Sequence, residues 1–301
     1  MLNKQEHQDI RIGTIAGRGD KTPEYIRQIL PNGFESFQIL FWAGVDCVNL
    51  EALAKQINKT LEGSFAGVSA LGIYGNPLDP KSPTYLSTIN GWKECIDNAH
   101  LFGTDLVCGF AGRMIDLPID QSMKEFKEVF GELAKRAADK GVRLAFENGC
   151  MGGSWHRGDW NIAQYPVAWE MMFNEVPDKN VGLEWEPCHQ MIKLIDPVPQ
   201  LRKWAPKIFH IHGKDATIKW DVLKQYGVNG PEQWAFQRAP GFGDSDWSEI
   251  ISELRRQNWT GSIDIEGWRD PVYSDSFEMT GQVYALNHLK KCRGGEYVKN
   301  P

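Results

Sequence analysis

Four short apolar runs in this chain of 301 residues each close, just before a turn, on a side chain that can carry a proton or bind a cation. They are Val142-Arg-Leu-Ala-Phe-Glu-Asn-Gly149, Asn180-Val-Gly-Leu-Glu-Trp-Glu-Pro187, Ile208-Phe-His-Ile-His-Gly-Lys-Asp215 and Gly261-Ser-Ile-Asp-Ile-Glu-Gly-Trp268. Glu147, Glu186, His212 and Glu266 thereby occupy matching positions. One histidine on a strand is commonly a satisfied core residue, so it is the agreement in phase that singles this set out. Three carboxylates and an imidazole make a hard, oxygen-rich donor set, which suits one divalent metal: Mn²⁺ first or Mg²⁺, with Co²⁺ or Zn²⁺ as alternatives. Without a cation these groups would repel one another in a partly buried cavity; the competing arrangement pairs them with lysines or arginines of the loops.

The strand period of two puts Glu184, His210 and Asp264 one layer deeper on the same face as Glu186, His212 and Glu266. A buried polar layer needs internal partners, so His210 is expected to bond to Glu184 or Asp264, with Arg143 compensating charge, and the layer to orient the residues above it. The loops suggest a substrate. Gly152-Gly-Ser-Trp-His-Arg-Gly158 and the segment from Ala216 to Asp246 are aromatic-rich and jointed by glycines. Trp155 and His156 are candidates to touch substrate, since aromatic faces stack on sugar C–H surfaces, and Arg157, Lys214 or Arg238 can hold a phosphate or carboxylate. Trp155, Trp220 and Trp234 serve equally well as packing or subunit contacts. Trp42 can wall the pocket, and His189, three residues after Glu186, can hydrogen-bond a substrate oxygen or cap a surface helix.

The elements that must position these groups alternate. Strands are expected at Arg11–Ala16, Ser36–Trp42, Gly67–Tyr74 and Asp105–Phe110 and in the four runs above. Helices are expected at Thr22–Leu30, Asn49–Leu61, Tyr85–Leu101, Ser122–Lys140, Val167–Val176, Pro199–Trp204, Asp246–Gln257 and Phe277–Lys291, with Thr22 as N-cap and Pro23 in the first turn. About eight strand-then-helix units predict an α/β fold, a (β/α)8 TIM barrel, as a single domain over 1–301. A doubly wound sheet competes, but Gly13-Thr-Ile-Ala-Gly-Arg-Gly19 is not its phosphate fingerprint. In a barrel, chemistry sits where strands end, and all four candidate ligands are there.

The formal net charge of −6 and the lack of a dense lysine or arginine run argue against a nucleic acid partner. No stretch is long and apolar enough for a membrane span, and the six scattered cysteines form no C-x-x-C pair, which reads as reduced thiols in a cytoplasmic protein. Aromatic loops make a homo-oligomer an expectation.

From Glu147 to Glu266 the chain resembles the sugar phosphate isomerase/epimerase family with the xylose isomerase-like barrel. The resemblance is carried by Glu147-Asn-Gly, Glu186-Pro-Cys-His189, His210-Ile-His-Gly-Lys-Asp215, Pro240-Gly-Phe-Gly-Asp-Ser-Asp-Trp247, Ile265-Glu-Gly and Gly72-Ile-Tyr-Gly-Asn-Pro77. Glu186 departs from it, since the family usually has Asp there. The resemblance implies that Glu147, Glu186, His212 and Glu266 bind one divalent metal and that Glu147 and Glu266 act as catalytic acid and base. The expected function is isomerisation or epimerisation of a small sugar, keto-sugar or polyol ketone through an enediolate. Alternatives are a keto-sugar dehydratase or lyase, an abasic-site DNA repair enzyme of the endonuclease IV type, and a sugar-binding barrel without turnover.

Overall fold

The computed structural model describes residues 9–296 and 298. Eight parallel strands close into a barrel in the order β1-β10-β7-β6-β5-β4-β3-β2. They are β1 (Arg11–Ala16), β2 (Ser36–Trp42), β3 (Gly67–Tyr74), β4 (Leu106–Gly109), β5 (Arg143–Glu147), β6 (Val181–Trp185), β7 (Ile208–Gly213) and β10 (Ser262–Ile265). The (β/α)8 barrel read from the alternation is thus the fold. Parallel strands covered on both faces need apolar side chains on both, and β6, Val-Gly-Leu-Glu-Trp, is buried at every residue.

Around the strands lie α1 (Thr22–Ile29), α2 (Leu50–Leu61), α3 (Tyr85–Asn98), α4 (Met123–Asp139), α5 (Pro166–Glu175), α6 (Pro187–Met191), α7 (Pro197–Trp204), α8 (Trp220–Tyr226), α9 (Trp247–Arg256) and α10 (Glu278–Arg293). Their starts follow from local chemistry. The Asn49 side chain accepts from Ala52 N at 2.9 Å and opens α2, and Asp246 accepts from Glu249 N at 2.9 Å and opens α9. Thr22 is not the N-cap expected of it. It is the first helical residue, Lys21 caps, and the Thr22 hydroxyl instead accepts from Arg18 N at 3.0 Å.

Close packing groups the chain into two units. In the unit Ile15–Trp185 with Lys207–Ile211, Trp92, Phe126, Phe130 and Phe146 meet with centroid separations of 4.7 to 5.3 Å along the chain of contacts and join α3 and α4 to β5. Burial and ring geometry make such a cluster a main source of stability. In the unit formed by the described residues of Met1–Thr14, Glu186–Pro206 and His212–Pro301, β1 pairs with β10 in register Thr14↔Ile265. Here Leu254, Leu286 and Leu289 are fully buried. The long segment after Lys214 is not a plain loop: β8 (Asp215–Ile218) and β9 (Ala235–Arg238) pair antiparallel, with α8 between them.

Candidate functional site

Glu147 is the last residue of β5 and is buried. Asn161 fixes the backbone there, donating from Nδ2 to Glu147 O at 2.7 Å and to Gly149 O at 2.9 Å, while its Oδ1 accepts from Ala111 N and Ala163 N. A Cβ at Gly149 would push the Glu147 carboxylate aside.

In the same unit, Glu184 and His210 form a buried layer, with His210 Nδ1 2.9 Å from Glu184 Oε1. Gln38 Nε2 donates to Glu184 Oε1 at 2.6 Å, and the Tyr74 hydroxyl donates to Oε2 at 2.6 Å. Burial first, and the Glu184 charge next, push the Tyr74 phenol well above its ordinary range, so it keeps its proton and donates. Arg143 plays no part in this layer, a correction to the expectation: its guanidinium pairs with Asp105 at 2.8 Å and lies over the Phe209 ring. The reason is distance along the strand, since Arg143 starts β5 whereas Glu147 ends it.

In the other unit, Glu186 follows β6 in extended conformation. Pro187 disfavours a helical residue before it and so keeps this carboxylate on the line of the strand. His212 Nδ1 lies 3.3 Å from Glu266 Oε2 and 3.7 Å from Glu186 Oε2. Glu266 N donates to Gly213 O at 3.1 Å, and the Thr14 hydroxyl, 3.1 Å from Ile265 O and 2.7 Å from Gln282 Oε1, steadies the end of β10. Asp264 is buried on that strand. His189 is buried with Nε2 3.2 Å from Glu186 Oε1; burial, helped by the nearby Lys214 charge, lowers its pKa to about 3 and leaves the ring neutral. Lys214 is buried with Nζ 2.6 Å from Glu266 Oε1. Burial raises the Glu186 pKa, with Lys214 opposing and Glu266 adding to the rise. Burial acts on Glu266 in the same sense, but Lys214 and His212 overcome it and hold that carboxylate below its ordinary range.

Glu186, His212 and Glu266 each bring a ligand atom within 4.8 Å of one another, and Glu147 ends β5 in its own unit. Glu266 Oε2 is buried and accepts no hydrogen bond. Two carboxylates and one imidazole at that spacing fit a hard divalent cation, with room in its coordination for a further carboxylate. Cys108, Glu184 and His210 also gather within 4.8 Å, but the donors from Gln38, Tyr74 and His210 already engage both Glu184 oxygens, which makes this a hydrogen-bonded core layer.

Other candidates are placed differently. Trp155 is half-buried and tilted against Tyr165 at 5.9 Å, and His156 and Arg157 are exposed. Arg238 is tied to Asp270 at 3.1 Å, Trp220 is exposed, Trp234 donates its indole N–H to Val228 O, and Trp42 stands against Trp160 at 5.7 Å. Two residues without a sequence signal of their own matter here. Arg113, fully buried, donates to Leu117 O, Ser154 O and Trp155 O and ties down the loop that carries Trp155. Asn161 holds Glu147, as above. Gln38 did carry a signal, as a polar residue inside the apolar strand Ser36-Phe-Gln-Ile-Leu40.

Among the described residues no helix is long and apolar enough to cross a membrane. None of the six cysteines is joined in a disulfide. The chain is 26% identical over 181 residues to an inosose dehydratase of Clostridium beijerinckii, a match covering 58% of this chain and 56% of that protein. Among solved structures, a 3-keto-D-glucoside 4-epimerase from E. coli is similar with a TM-score of 0.69 at 17% identity, covering 94% of this chain and all of that one. An L-ribulose 3-epimerase gives a TM-score of 0.69 at 16% identity, covering 95% and 96%. Residues 26–292 match the family described as xylose isomerase-like TIM barrel, and the chain belongs to that family.

Proposed function

We propose that this protein is a divalent-metal-dependent enzyme, with Mn²⁺ as its first candidate ion, that moves a proton at the carbon beside the carbonyl of a small keto-sugar or polyol ketone, giving epimerisation or isomerisation. The observation that carries the reading is the cluster of Glu186, His212 and Glu266, to which the reading adds Glu147 as fourth ligand. A bound divalent cation would polarise the substrate carbonyl and stabilise the enediolate's negative charge. Glu147 and Glu266 then serve as base and acid. One takes the proton from the carbon, and the other returns a proton to the opposite face for epimerisation or to the neighbouring carbon for isomerisation. In this reading neutral His189, beside Glu186, hydrogen-bonds a substrate oxygen. His210 and Glu184 hold each other rigid in the layer that Gln38 and Tyr74 complete.

Dehydration of a keto-polyol is the second reading, favoured by the inosose dehydratase relatives, little more than half of whose length this chain matches. It begins with the same proton abstraction and ends with loss of a β-hydroxyl. The test is carbon-bound deuterium incorporated from D₂O into a panel of ketoses and keto-polyols with Mn²⁺ added. The proposal expects exchange by the wild type that Glu147→Gln abolishes, and product with one water fewer marks the dehydratase. Absence of exchange and of water loss across the panel, in a protein that binds Mn²⁺, would count against proton transfer.

A further inference from the structure

The charge of the cluster leads one step beyond the proposed metal centre, on which this inference rests. Among the described residues Lys214 is the only buried lysine. Its Nζ lies 2.6 Å from Glu266 Oε1 and 4.0 Å from Glu186 Oε1. The backbone holds it there: Lys214 N donates to His212 O at 3.0 Å, and the next residue, Asp215, accepts from Ala216 N at 2.8 Å, Ser245 N at 3.0 Å and Trp247 Nε1 at 3.1 Å. The ammonium is therefore built into the frame and does not reach in from solvent. With all three carboxylates ionised around one dication the site would carry one surplus negative charge, which the Lys214 ammonium would balance.

We propose that Lys214 is the built-in counter-cation of the metal centre, opposing the dication and so setting its affinity, and is not a holder of a substrate phosphate or carboxylate. An anion would have to draw the ammonium out of a buried ion pair, which costs more than the exposed pairing elsewhere on the surface returns.

The test compares wild type, Lys214→Met and Lys214→Arg after metal stripping with a chelator, by Mn²⁺ titration calorimetry and by thermal unfolding before and after Mn²⁺ is added. Methionine keeps the buried stem and removes the charge. Lys214→Met is expected to bind Mn²⁺ at least about tenfold more tightly than wild type, because an ammonium and a dication a few ångströms apart repel. Its stripped form melts lower, from carboxylates left facing one another, and its rise in Tm on adding Mn²⁺ is the larger. Lys214→Arg keeps the charge and stays within about threefold of wild type. A Lys214→Met chain that folds only with Mn²⁺ present supports the proposal. Wild type that binds Mn²⁺ beside a Lys214→Met variant of equal or weaker affinity overturns it, as does a Lys214→Arg variant that gains affinity equally. A wild type that binds no Mn²⁺ overturns the metal centre itself, and this inference with it.

Discussion

Replacing Tyr74 by phenylalanine removes one hydroxyl from the barrel interior and little else. The ring keeps its edge-on contact with Phe110, whose centroid is 5.1 Å away. What is lost is the hydrogen bond to Glu184 Oε2 at 2.6 Å and the one accepted from Gln38 Nε2 at 3.0 Å, whose donor keeps Glu184 as partner. A buried hydrogen bond to a charged group is worth about 1.5–3 kcal/mol net, because the acceptor left behind has no water to turn to. Gln38 and His210 still hold Glu184 Oε1, so a cost of about 2 kcal/mol is expected. That corresponds to a fall in Tm of roughly 4–8 °C by the scaling for domains somewhat smaller than this one. The assay is urea unfolding followed by tryptophan fluorescence, backed by calorimetry. Arg136→Met serves as control: the Arg136–Asp97 pair lies at the surface, where such pairs contribute less than about 1 kcal/mol. Tyr74→Phe costing no more than this control would refute the reasoning that the layer is a tightly bonded, stabilising core.

Arg113→Lys should cost about 3 kcal/mol and speed proteolysis between Gly152 and Gly158, since one ammonium cannot serve the carbonyls of Leu117, Ser154 and Trp155 together; unchanged cleavage would contradict the pinning role. Asp270 is buried, which alone would raise its pKa, but the N–H groups of Tyr273, Ala239 and Val272 and the Arg238 guanidinium hold it below the ordinary 3.8. A depressed folded pKa gives stability that is present above the ordinary value and is lost as pH falls through the folded one. Asp270→Asn should therefore destabilise at neutral pH, with the gap from wild type closing in acid; a gap constant with pH would contradict it. Among the thiols, exposed Cys47 should alkylate well ahead of Cys95, which is buried and whose thiol burial pushes far up. Equal labelling of the two in the native protein would show that the core there is open.

The barrel was legible because each strand is a short apolar run and α1, α2, α4 and α9 are clearly amphipathic, so the change to a period of 3.6 marks most of the early boundaries. The strands at Arg11–Ala16, Ser36–Trp42 and Gly67–Tyr74 lie where periodicity puts them. Less legible was the hairpin of β8 and β9. Its four-residue strands are separated by α8 and by Gly227 and Gly230, too little sequence for a period to declare itself. The five residues of α6 after Glu186 are likewise too few for a period to declare itself, although Pro187 marks their start. Glu147, Glu186, His212 and Glu266 were picked out by type and phase because each closes an apolar run of the sequence. Arg113 and Asn161 were not, since they act through backbone carbonyls that no residue pattern encodes. Lys214 was visible as a cation, but that it faces Glu266 depends on Gly213 and Asp215 turning the chain, and only the folded backbone shows that.

The most direct test of the account is the metal content of the purified protein after reconstitution with Mn²⁺ and desalting, wild type beside His212→Ala. The account predicts about one ion per chain in the wild type and a large loss in the variant, with the fold of both intact by circular dichroism. Wild type that retains no Mn²⁺, or a His212→Ala chain that retains as much, would mean that the four strand ends form a polar cluster without a metal, and the proposed chemistry would fall with it.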